Sequence, residues 1–128
     1  MNVALVCTAL LGLLVFGLGL YVSMQRGQSN RVIGHDIDPN DPLHKAVRAH
    51  GNAAEYVPMM AVLMIAIGMR GPSTWMVWVF WAAVASRYLH AAGMIAGGPL
   101  DKPNPMRAIG AVGTYLTGLL LVIATFLV

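Results

Sequence analysis

The sequence predicts an all-α integral membrane protein, a bundle of four transmembrane helices in one domain spanning residues 1–128. Three observations predict it. The chain is 58% hydrophobic and only 10% charged, too oily for a soluble core with a wetted surface. Residues 3–24 carry no charge at all, and at about 1.5 Å rise per residue they exceed a hydrocarbon core of roughly 30 Å. The remaining apolar segments are separated by short polar breaks rich in Gly, Pro, Asn and Asp, which is the pattern of successive spans joined by loops.

The first span covers residues 3–24. It has no basic segment ahead of its apolar core and no small-residue cleavage site after it, so it is expected to remain in the protein. The connection that follows, QRGQSNRVIGHDIDPNDP, cannot stay helical and must lie in water or over the end of the bundle. The second helix begins near residue 42 and runs to about 69. Asp41 stands before Pro42, a capping side chain ahead of a proline whose missing N–H costs nothing in the first turn. A very short break around Arg70 to Pro72 forces the second and third spans into an antiparallel hairpin. The third span covers 73–96 and opens on Trp75 and Trp78, residues suited to a membrane interface. After GGPLDKPNP the fourth span covers 105–128, its start marked by Asn104 before Pro105 in the same cap arrangement. Small residues at helical spacing, Thr8 with Gly12 and Gly110 with Thr114 and Gly118, would permit close helix approach.

Arg26, Arg31, Lys45 and Arg48 flank the first loop, Lys102 and Arg107 the third, and only Arg70 lies at the other end. The excess of basic residues predicts that loops one and three face the cytoplasm and both termini lie outside, in the inner membrane if the protein is bacterial. A net charge of +3 spread over loops gives no basic face for nucleic acid. Cys7 is the only cysteine, which excludes an intramolecular disulfide. Asp36, Asp38 and Asn40 begin like a calcium loop, but Asp41 replaces the turn glycine and Val47 the bidentate glutamate. His35, His44, His50 and His90 lack zinc spacing, so no metal site is expected.

What remains is a set of polar groups at membrane depth. At about 100° per residue Arg48, Asn52 and Glu55 fall within roughly 60° of one another, forming a stripe down the second helix. Arg87 and His90 share a face of the third helix, at a comparable depth in the half nearer loops one and three. Such groups are kept off lipid and paired with one another or with a ligand. One alternative is an internal ion pair of Glu55 with Arg87 or Arg48 that holds the bundle together. The other is a ligand pocket, because two arginines, joined by Arg107, outnumber one glutamate; a surplus of cations beside an amide and a carboxylate suits a small zwitterion of net negative charge. Pro58 either kinks the second helix beyond Glu55 or is a tolerated membrane-helix proline.

The strings RAHGNAAEYVP, SRYLHAAG and NPMRAIG, in this order and in spans two, three and four, resemble the MAPEG family, the membrane-associated proteins in eicosanoid and glutathione metabolism. The resemblance covers essentially the whole chain. It implies a homotrimer with glutathione sites between subunits. Carried over by position, Arg48, Asn52, Glu55, Tyr56, Arg87, Tyr88, His90 and His50 are expected to bind glutathione, with Arg26 a weaker transfer, and Arg107 is expected to assist the thiolate as the catalytic residue. Ala108, Ala91 and Ala92 depart from the eicosanoid-synthase branches. The implied activity is therefore a detoxifying glutathione transferase, with peroxidase activity as a related outcome. Glutathione would be the co-substrate, a lipophilic electrophile arriving from the membrane lipids the second substrate. Two other classes remain: a non-catalytic lipid- or glutathione-binding member of the same family, and a small four-helix multidrug transporter.

Overall fold

The computed structural model describes residues 2–128 and is wholly helical outside its loops: α1 (Val3–Ser29), α2 (Pro42–Gly68), α3 (Thr74–Ala96) and α4 (Pro105–Phe126). α1 continues past the uncharged stretch and carries Gln25 and Arg26 in its last turns before Asn30 turns left-handed (φ 54°) and stops it. Three helix starts are closed by a side chain. Asn2 accepts from the Ala4 amide, Asp41 from the His44 amide and Asn104 from the Arg107 amide, at 2.9 to 3.0 Å. Asp41 is thus spent on a cap, and Asp38 on a turn closed by the Asn40 amide. α2 runs through Pro58 as one uninterrupted helix.

Three helices, α1, α2 and α4, are long and apolar enough to cross a membrane. α3 has 23 residues and carries Ser86, Arg87, Tyr88 and His90 in its second half. It is also the best covered helix. Its buried face runs from Met76 and Phe80 through Ala83 and Arg87 to His90 and Met94. The outside of the bundle is apolar instead, with Leu13, Phe16, Leu20, Trp78, Leu119 and Phe126 exposed. A membrane protein that meets lipid rather than water has this inverted surface.

α1 packs along α2, α3 along α4, and the α2–α3 contact joins the two pairs; α1 and α4 do not touch. Loops one and three meet at one end, where the Leu100 amide donates to the Pro39 carbonyl at 3.1 Å. Both termini and the short second loop share the other end. There the Arg70 guanidinium donates to the Val128 carbonyl, and Gly68 lies against Ala4 and Asn2.

The α3–α4 pair owes its closeness to glycines. Gly93 sits against the backbone of Arg107, Gly110 against the backbone of His90, and Gly113 against Ser86; a Cβ at any of the three would enter the van der Waals shell of its neighbour. Gly110→Ala should therefore lower stability in detergent by about 1–3 kcal/mol through overpacking. Gly12→Ala, where no atom lies within 4 Å, should leave the thermal midpoint unchanged or raise it slightly. Equal melting of the Gly110→Ala and parent proteins would contradict the close crossing.

Candidate functional site

Asn52 is ten residues into α2, Thr114 nine into α4, and Arg87 nine residues short of the end of α3. At about 1.5 Å per residue all three lie roughly 14–15 Å from the end that carries loops one and three. They meet there. Arg87 is 1% exposed; its Nη2 donates to Asn52 Oδ1 at 2.7 Å and its Nη1 to Thr114 Oγ1 at 3.2 Å. The Tyr56 ring lies 5.4 Å from the guanidinium carbon, within cation–π range. Thr114 in turn donates to the Gly110 carbonyl, the residue that abuts His90. One buried cation thus ties α2, α3 and α4 at a single level.

The internal ion pair weighed from the sequence does not form. Among the described residues the only salt bridge is Arg31 with Asp36, and Arg87 turns to an amide and a hydroxyl instead of Glu55. Arg48 and Glu55 are exposed on the outward face of α2, with the half-buried Asn52 between them. Because Arg87 occupies Asn52 Oδ1, the amide orientation is fixed and Nδ2 is left free to donate.

Two concavities adjoin this level. The first, about 450 Å³, is lined by His90, Pro103, Asn104, Pro105, Arg107, Ala108 and Ala111 at the start of α4. Arg107 is half-buried there, with one guanidinium nitrogen held by the Lys102 carbonyl at 2.8 Å, and Asn104 braces the loop by donating to the Gly97 carbonyl. The second, about 360 Å³, is an apolar groove between α2 and α4 that begins at Glu55, Tyr56, Thr114 and Tyr115 and continues over Met59, Leu63 and Val122. The Tyr56 and Tyr115 rings meet edge to face at its head, 5.9 Å between centroids.

The other residues singled out from the sequence lie elsewhere. Tyr88, one position on from Arg87, points the other way and donates to the Leu10 carbonyl of α1 at 2.8 Å. His50 also faces α1, its Nε2 against Gly19. Arg26 folds onto loop one and donates to the Gly34 carbonyl at 2.7 Å. Thr114 was read in sequence only as a small packing residue and Tyr115 was not singled out; neither carries a charge. Their spacing of seven and eight from Arg107 was the available signal, since it sets Thr114 on the same helix face. No cluster of three or more metal-ligating side chains occurs among the described residues.

A family model described as the MAPEG family matches residues 4–127. The chain is also similar to the inner membrane protein YecN of Escherichia coli strain K12 and to its counterpart in strain O6:H1, each 44% identical over 52 residues. That alignment covers 40% of this chain and spans 40% of the length of those curated relatives. No solved structure matches.

The Arg87 arrangement makes a direct prediction. Asn52→Ala removes the shorter hydrogen bond to a buried charge and should destabilise the protein by about 1.5–3 kcal/mol. Thr114→Val, which removes the longer one, should cost less. Chemical unfolding in detergent checks both, and an Asn52→Ala protein as stable as the parent would show that the contact carries no weight.

Proposed function

The chain belongs to the MAPEG family, and from that premise we propose that it is a membrane-bound glutathione transferase acting on lipophilic electrophiles, assembled as a homotrimer of four-span subunits. The observation that carries this reading is the outward face of α2. Arg48, Asn52 and Glu55 lie there together, and Glu55 has no cationic partner among the described residues. Ionised groups at that depth are not left to lipid. A neighbouring subunit that covers the face, with a zwitterionic ligand between, satisfies them.

In this proposal Arg48 binds a glutathione carboxylate, Glu55 its ammonium and the free Asn52 Nδ2 an acceptor on its backbone. Arg87 works from behind, holding Asn52 in its productive orientation. Arg107 and His90 line the concavity at the start of α4, where the helix dipole favours an anion. The glutathione thiol releases its proton to water, Arg107 stabilises the thiolate, and the sulfur forms a bond to the electrophilic carbon as the bond from that carbon to the leaving group breaks and the group departs as an anion into the same water. The apolar α2–α4 groove, opening beside Glu55 and Tyr56, suits the apolar part of that electrophile. The capped ends of α2 and α4 face the cytoplasm, in accord with the basic residues around loops one and three.

Calorimetric titration of the detergent-purified protein with glutathione should show saturable binding. Arg48→Ala should weaken it by tenfold or more, on the scale of a lost hydrogen bond to a charged group, about 1.5–3 kcal/mol. At saturating glutathione, Arg107→Ala should slow conjugation of a model electrophile while leaving binding in place. Absence of binding would refute the reading. Binding without turnover would replace the transferase with a non-catalytic member of the family, and a full rate in Arg107→Ala would remove the thiolate role.

A further inference from the structure

We infer that the end of α1 and the start of loop one form a seat for an anionic phospholipid, with Arg26 and Arg31 at the headgroup phosphate and Val32 and Ile33 in the acyl boundary. α1 has 27 residues, about 40 Å of helix, against a hydrocarbon core of roughly 30 Å. Its last turns therefore stand in the headgroup layer. Loop one does not leave that layer at once. Asn30 reverses the chain, and the Arg26 guanidinium grips the Gly34 carbonyl at 2.7 Å and the Arg31 carbonyl at 3.5 Å. Residues 31–34 are thereby drawn back beside the end of α1.

Two features mark this folded-back segment. Val32 and Ile33 are 94% and 90% exposed, adjacent aliphatic side chains that the described residues leave uncovered, with Ile37 exposed further along the loop. Beside them Arg26, Gly27, Asn30, Arg31 and Val32 line a concavity of about 280 Å³. The Arg31 guanidinium is held in place by Asp36 at 2.8 Å, and this pairing leaves Arg26, with only one of its terminal nitrogens engaged, as the uncompensated charge. Aliphatic tips next to guanidinium donors at headgroup depth match the two halves of a phospholipid. A second copy of the chain would match the tips but has no reason to require the arginines. The seat is independent of glutathione, and failure of glutathione to bind leaves it standing.

The single native cysteine, Cys7, is fully buried, so a cysteine introduced at Val32 can be labelled selectively with an environment-sensitive nitrobenzoxadiazole dye. In phosphatidylglycerol–phosphatidylethanolamine vesicles the Val32→Cys label should be quenched by lipids spin-labelled at a shallow acyl position and shielded from aqueous iodide. A label open to iodide and blind to the lipid quencher would overturn the proposal in favour of a water-facing loop. A label shielded from both would overturn it in favour of a second copy. Ile33→Cys provides the same readout if the first variant does not fold. For the headgroup, Arg26→Gln should reduce retention of phosphatidylglycerol relative to phosphatidylcholine about fivefold in native mass spectrometry. Unchanged retention would remove the phosphate contact.

Discussion

The architecture depends on one buried guanidinium. Arg87 is nearly inaccessible, and in an apolar bundle an ion without partners would cost several kcal/mol. Its partners come from α2 and α4, so the charge is tolerable only when three helices stand in one register. Neutral partners have a further effect. An amide and a hydroxyl engage the two terminal nitrogens, while Nε stays buried without a partner, and neither cancels the charge, so the centre of the bundle keeps a positive potential beside the ring of Tyr56 and the face that carries Asn52. An ion pair with Glu55 would have neutralised it; instead Glu55 stays on the outer face, without a cationic partner among the described residues.

Close packing makes that register possible. Glycines at 93, 110 and 113 bring α4 within backbone contact of α3, which carries Thr114 to the Arg87 guanidinium and Arg107 to the wall it shares with His90. α2 and α4, for their part, leave an apolar groove between them.

Much of this was legible in the sequence, and the parts that were not have physical reasons. The caps at Asp41 and Asn104 follow from local chemistry that a few residues decide. The shared depth of Asn52 and Arg87 follows from counting residues along helices of known rise. Which way each side chain turns at that depth does not, because it depends on which helix lies beside it. Tyr88 is adjacent to Arg87 in sequence and to α1 in space, and His50 likewise faces α1. The choice of Thr114 over Glu55 as a partner for Arg87 was invisible for the same reason. Arg26 was carried over by position only weakly, because loop lengths differ, and its hold on the Gly34 carbonyl is a contact no spacing rule foretells.

The adjacency of Arg87 and Tyr88 bears on how the molecule is built. One side chain fastens α3 to α2 and α4, and its neighbour fastens α3 to α1 through the Leu10 carbonyl. α1 and α2 already form a hairpin that emerges first during synthesis, whereas both fasteners belong to the hairpin that emerges second. Until that later half docks, its arginine has no amide to meet and its tyrosine no carbonyl. A chain whose second hairpin has been made but has not docked would display an unmet cation inside the bilayer, a mark that distinguishes an unfinished copy from a completed one.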